Sequence, residues 1–311
     1  MSNESLTKLI EQGSKDIERP DMDKFVAEDL YSQSKVNADK QALQQEKLRI
    51  RAKIQARPPH LREVTDRLDL LSSALEIIVF RLIELYNWMG DGTMVAAASP
   101  YDDIINGVDA IIEFTEEKGG KRIALAVDVA MQNDPQRILK KLETNIQKLL
   151  NPTNPRFPCV VEYFESQRNE GERGRLENII HVVIGADQQH TQQFIALCIA
   201  LEELKRLPEN DDPDTKRERE QRAAAITKHP LQVVFLEQIR IQLRLYQVLL
   251  AKAENPALAI PLAEVNAVYQ IIEGILKEKK VTKEEEYMKE DHCFAQIADM
   301  VARLQAGAEA A

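Results

Sequence analysis

Two aspartates, Asp109 and Asp128, sit among apolar residues where an acid needs a reason to be. Asp109 opens the run Ala110-Ile111-Ile112-Glu113-Phe114, and Asp128 lies inside Ile123-Ala124-Leu125-Ala126-Val127-Asp128-Val129-Ala130. Between the two runs comes Glu116-Glu117-Lys118-Gly119-Gly120-Lys121, so the segment reads as a β-hairpin with a glycine-containing turn. If Lys118-Gly119 are the two turn residues, Asp109 lies directly opposite Asp128. If Gly119-Gly120 are, the two are diagonal neighbours on one face, and a three-residue loop puts them on opposite faces. In the first two registers like charges on neighbouring strands cost roughly 0.2 to 1 kcal/mol per pair, and more when buried. A divalent metal or a lysine is the compensating cation such a pair calls for.

The elements around this pair follow from periodicity. Leu68, Leu71, Leu75, Ile78, Leu82 and Leu85 recur at spacings of three and four, which predicts a core helix from residue 61, stopped by Gly90-Asp91-Gly92. After the hairpin, Asn133 or Asp134 before Pro135 reads as an N-cap with proline at the first helical position, opening a helix to about Leu150. Ile138, Leu142, Ile146 and Leu149 form its buried side, and Gln136, Lys140, Glu143 and Gln147 a polar stripe. Strands are expected over 159–164 and 179–185, with a loop at 171–174, and then an amphipathic helix from Asp187 or Thr191 to about Leu207.

Outside this core, residues 1–20 read as a loosely ordered polar tail with at most a short helix, and 21–56 as one helix with a weak apolar face, broken by Pro58-Pro59. The charged stretch 208–222 reads as a linker, and 231–253, 262–279 and 283–304 as helices. The expected organisation is a polar tail and helical arm (1–57), an α/β core (58–207), the linker (208–222) and a C-terminal helical region (223–311).

Composition narrows the function classes. With 41 Lys and Arg against 51 Asp and Glu, the formal net charge of −10 argues against a broadly basic nucleic-acid surface, although a local patch survives that argument. Cys159, Cys198 and Cys293 are far apart and fit no ligand or disulfide pattern, which suits a reducing compartment. The N-terminus lacks a signal-peptide pattern, and no run of about 18 apolar residues suggests a membrane span, so a cytoplasmic location is expected. There is no P-loop, Gly-x-Ser-x-Gly, His-Glu-x-x-His or dinucleotide fingerprint.

The order of elements over residues 61–207, together with Gly107-Val108-Asp109-Ala110-Ile111 and a strand ending in Val127-Asp128-Val129, resembles the PD-(D/E)XK nuclease-like fold, in the branch of recombination and CRISPR-associated exonucleases. The second strand of that family carries a Gly-x-x-Asp-like motif, and the third an acid, one spacer and a lysine. The resemblance implies a small mixed central sheet flanked by helices, restriction-endonuclease-like, with a helical N-terminal arm and C-terminal helices added. It also implies phosphodiester hydrolysis at a two-aspartate site holding Mg²⁺ or Mn²⁺, with Asp109 and Asp128 as ligands. Glu84 or Glu76 would be the glutamate of the preceding helix, and Gln136 or Gln147 the glutamine of the following one. Two positions after Asp128 this chain has Ala130 where the family has its lysine. Some members relocate that lysine, and Lys140 or Lys141 on the next helix is the candidate to reach back, without which the resemblance implies no activity.

Other candidates read more simply. Asp102 and Asp103, flanked by Pro100 and Asn106-Gly107, read as turn or cap residues; His181 as a satisfied core histidine; and His190 as too isolated for a metal triad. Tyr86, Trp88 and Met89 read as packing, and residues 216–222 as a solvated charged segment. Beside the active nuclease stand two alternatives: a nuclease-like domain that has lost its lysine and works as a binding or scaffold module through its extra helices, and a structural protein that oligomerises through its terminal helices.

Overall fold

The computed structural model describes residues 2–114, 123–131, 135–154, 157–207, 212–253, 255–279 and 284–310. The chain begins not with a loose tail but with α1 (Asn3–Asp16), capped where the Ser2 side chain accepts the Ser5 N–H. Its Leu6 and Leu9 are buried in the main core, and that burial gives a polar segment a fixed place. The expected single helix over 21–56 is two, α2 (Met22–Ala27) and α3 (Gln33–Gln55), separated by a turn in which Asp29 takes a positive φ and Ser32 caps α3. The turn lets Phe25 and Tyr31 pack on Tyr163. α4 (Pro59–Leu85) starts with proline in its first turn and buries Leu71, Leu75, Ile78 and Leu82, the stripe expected from their spacing.

A strand absent from the sequence reading follows: β1 (Met94–Ala97), short and alanine-rich, which owes its form to pairing rather than propensity. β2 (Ala110–Phe114) and β3 (Ile123–Met131) form the expected hairpin, and Ala110 faces Val127, the register that carries Asp109 opposite Asp128. The turn residues themselves lie outside the described residues. α5 (Pro135–Leu150) has the expected span, while its cap residues Asn133 and Asp134 are outside the described residues. β4 (Val161–Glu165) pairs with β5 (Arg173–Leu176), so part of the expected loop at 171–174 is strand, and the two make a separate small sheet. β6 (Ile180–Ala186) returns parallel to β3, giving a four-stranded sheet in the order β1-β2-β3-β6. α6 (Gln188–Lys205) is capped by Asp187, whose carboxylate accepts the His190 N–H.

Where a charged linker was expected, residues 213–222 belong to α7 (Pro213–Thr227), capped by Asp212, and its Ile226 enters the core. Lys, Arg, Glu and Ala are good helix formers, and a helix fastened by one apolar residue leaves little periodic signal. α8 (Leu231–Lys252), α9 (Ala259–Glu278), α10 (Glu284–Glu290) and α11 (His292–Ala310) complete the chain. One apolar cluster runs from Leu6 through α4, the sheet and α8 to Val301. The stretch Pro256–Glu278 is long and apolar enough to cross a membrane by length and composition, contrary to the expectation of no such run; here Val265, Val268 and Ile272 are buried in the common core. The architecture is mixed α+β, a small sheet flanked by helices.

Candidate active site

The site is organised by a turn. Asp102 is fully buried, and its carboxylate accepts the Ser99 hydroxyl at 2.7 Å, the Asn106 amide at 2.6 Å and the backbone N–H groups of Glu162 and Tyr163 at 2.8 and 3.0 Å. Burial raises its pKa, opposed by these donors. Asp102 is therefore a structural anchor that ties the turn to β4. The single π-helical turn Asp102–Asn106 ends at Gly107 with φ 73°, a left-handed conformation that glycine adopts without a Cβ penalty. That reversal delivers Asp103 and Asp109 to one place.

The carboxylates of Glu76, Asp103 and Asp109 offer oxygens that all lie within 4.8 Å of one another. Asp109 accepts the Val129 N–H at 2.7 Å and lies within hydrogen-bonding reach of Asp128. Burial, then the charges of Asp128, Glu76 and Asp103, hold the Asp109 carboxyl well above the ordinary carboxylate range. Burial also raises Asp128, against the pull of Lys141, and lifts Glu76 to about 7, against the pull of Arg19. Two cations answer the four acids. Lys141 Nζ is 2.6 Å from Asp128 Oδ1; burial lowers its pKa, but Asp128, Asp109 and Asp103 outweigh that, so it remains an ammonium. Arg19, from the segment between α1 and α2, places Nη2 2.6 Å from Glu76 and Nη1 2.9 Å from Asp103. Four acids against two cations are more than the cations compensate, so the carboxyls hold on to protons. A hard, oxygen-seeking dication would displace those protons, and Glu76, Asp103, Asp109 and Asp128 are the residues that would hold it.

Asp103, Asp109, Asp128 and Lys141 line one end of a cleft of about 580 Å³ whose other wall is α5, with Arg137, Lys140 and Lys148 along it, while Glu76 and Arg19 open onto a separate cleft. Of the residues singled out from sequence, the structure brings Asp109, Asp128, Glu76 and Lys141 together. Lys140 lines the cleft but its side chain is exposed and does not reach the pair. Gln136 and Gln147 are exposed on the outer stripe of α5 and do not line the cleft. Glu84 does not join the acids: it lies about 12 Å beyond Glu76 along the helix axis and accepts the Val95 N–H at 3.1 Å, pinning α4 to β1.

Asp103, read from sequence as a turn or cap residue, joins the acids instead because the turn ending at Gly107 brings it beside Asp109, and Arg19 joins the site without having been singled out. The Asp-Asp pair before Gly107 was the available signal for Asp103; Arg19 gave none. His181 was read as a satisfied core histidine, yet neither ring nitrogen makes a well-formed hydrogen bond, the Gly107 backbone being within reach of one, and the residue lines the cleft. His190, expected to be too isolated for a metal triad, instead has its ring Nδ1 3.0 Å from Asp187 and 3.5 Å from Asp291, because the start of α11 packs against that of α6. The two carboxylates also serve as caps, Asp187 accepting the His190 and His292 N–H groups and Asp291 those of Phe294 and Asp187. Comparison with protein-family models, with curated proteins and with solved structures finds no match.

Proposed function

We propose that the protein is a metal-dependent phosphodiesterase of the PD-(D/E)XK nuclease-like kind, acting on nucleic acid with Mg²⁺ or Mn²⁺. The observation that carries the reading is the meeting of Asp109 and Asp128 across β2 and β3 with the Lys141 ammonium on Asp128. β1 adds support, because it makes β2 and β3 the second and third strands of the sheet, the positions at which the resembled family carries its acids. Glu76, on the helix before the sheet, stands where that family has its glutamate.

Each residue then has work suited to its chemistry. Asp109 and Asp128, with Glu76 and Asp103, would bind the dication, which when bound lowers the pKa of its water and offsets charge developing on the phosphoryl oxygens. Lys141, held as an ammonium by Asp128, orients a water or a phosphoryl oxygen at the mouth of the pair. Arg137, Lys140 and Lys148 along α5 give the cleft a local positive wall for a polyanion in a chain that is acidic overall.

The test is calorimetric titration with Mg²⁺ and Mn²⁺ of wild type, Asp109→Asn and Asp128→Asn, with the same samples run against labelled single- and double-stranded DNA and RNA. Metal binding and metal-dependent cleavage that both variants abolish are expected. A wild type that binds neither metal ends the catalytic reading.

A further inference from the structure

The cleft holds polar groups that the carboxylate end does not use. Asn145 on α5 and His181 on β6 are each only 6% exposed, and both line the cleft. Asn145 Nδ2 has no hydrogen-bond partner, and neither ring nitrogen of His181 makes a well-formed bond, although the Gly107 backbone is within reach of one of them. Buried polar groups are almost always paired, so an unpaired amide beside an unpaired ring nitrogen at one cleft marks a place where a ligand supplies the partners. Their surroundings define its charge. Lys148, from the turn of α5 after Asn145, sends its ammonium toward the Asn106 carbonyl at 3.3 Å across the same cleft. Burial, and then the charges of Lys148 and Lys141, push the His181 ring down to about 3. The ring is neutral at physiological pH, with one N–H to donate, and the positive field that keeps it so favours an anion.

Spacing ties this place to the carboxylates. His181 pairs with Ala126, two residues before Asp128 on the adjoining strand, which puts the two backbone positions roughly 8 Å apart. We propose that Asn145, His181 and Lys148 form a phosphoryl-binding subsite, which takes a phosphate group neighbouring the one presented to Asp109 and Asp128. The subsite stands on its own geometry; the neighbouring phosphate rests on the function proposed above. Asn145 Nδ2 and the His181 N–H donate to phosphoryl oxygens, and Lys148 supplies charge. The group is either a terminal monoester or an internal diester, which share this chemistry.

The experiment titrates the full chain with inorganic phosphate and, separately, with dimethyl phosphate, with and without Mg²⁺, by calorimetry and by following the Asn145 amide and His181 ring resonances. Asn145→Leu and His181→Phe are the variants, since each replaces an unpaired polar group with an apolar one of similar size. Saturable one-to-one binding is expected, with both resonances shifted and affinity at least about tenfold weaker in each variant. Binding of inorganic phosphate alone identifies a terminal phosphate; binding of both probes identifies a site that accepts an internal diester. Phosphate binding that survives in a protein unable to bind Mg²⁺ supports the subsite and removes the nuclease reading. No saturable binding of either probe, or binding that neither variant weakens, overturns the proposal.

Discussion

Lys141 Nζ lies 2.6 Å from Asp128 Oδ1, across the gap between a strand and the helix that follows it. The ammonium comes from α5 because the strand cannot supply it. Ala130, two residues beyond Asp128, is 2% exposed and belongs to the apolar core. A lysine there would have to bury its long stem in a packed interior. Lys141→Met is therefore expected to lower metal-dependent cleavage on the order of a hundredfold. Lys140→Met, which removes one exposed charge from the cleft wall, weakens substrate binding but leaves the rate at saturating enzyme near the wild-type value. Single-turnover kinetics on a labelled oligonucleotide measures both, and equal losses would remove Lys141 from its role.

The raised carboxyls give the metal-free protein a characteristic response to pH. Glu76, lifted to about 7, and Asp109, raised well above its ordinary range, both bind protons more tightly folded than unfolded. Stability is therefore greatest below their unfolded pKa values and falls as pH rises from about 4.5 to about 7. For Glu76 the loss is on the order of 2 to 3 kcal/mol. Urea denaturation at pH 5 and 7.5 should show this slope in wild type without metal, and a much smaller one in Glu76→Gln/Asp109→Asn. Saturating Mg²⁺ should stabilise wild type more at pH 7.5 than at pH 5, because protonated carboxyls are poor ligands. An unchanged slope in the double variant would show that these acids do not carry the strain.

Arg19 holds Glu76 and Asp103 together in a place where a dication would bind the same oxygens. Replacing it with glutamine leaves two partly buried carboxylates without their counter-charge, at a cost of about 1 to 2 kcal/mol. It also removes a competitor, so the apparent Mg²⁺ affinity rises by up to about tenfold. Melting Arg19→Gln and wild type with and without Mg²⁺ checks both signs at once: a lower metal-free Tm and a larger upward shift on adding metal. A smaller shift would mean that Arg19 helps to build the metal site.

What could be read from sequence followed the range of the interactions. Asp109 and Asp128 were legible because a hairpin turn fixes antiparallel register, and α4 and α5 because apolar spacing repeats within each helix. Arg19 was not, since its partners lie 57 and 84 residues away in a segment with no local pattern. β1 escaped because Met94-Val95-Ala96-Ala97 has weak strand propensity and becomes a strand only beside β2. Glu84 and Glu76 both lie on α4, and only the tertiary fold separates the one that pins β1 from the one that meets Asp109.

The outer edge of the sheet is closed by side chains rather than by another strand. β6 is an edge strand, and its outward backbone groups are taken by two buried glutamines one turn apart on α8. Gln238 accepts the Gly185 N–H and donates to the Gly185 carbonyl, both at 2.8 Å; Gln242 accepts from Val183 at 3.0 Å and donates to its carbonyl at 2.7 Å. Each glutamine thus serves a donor and an acceptor that water cannot reach. Gln238→Leu or Gln242→Leu leaves both unpaired and should cost about 2 to 4 kcal/mol. Arg244→Leu, at an exposed position of the same helix, should stay within about 0.5 kcal/mol. Urea denaturation measures the difference, and amide exchange should speed up at Gly185 in the first variant and at Val183 in the second. Because β6 also carries His181 beside β3, a loosened edge should broaden the His181 ring resonance before the protein unfolds; losses confined to global stability, with exchange at Gly185 and Val183 unchanged, would show that the glutamines serve α8 packing and not the strand.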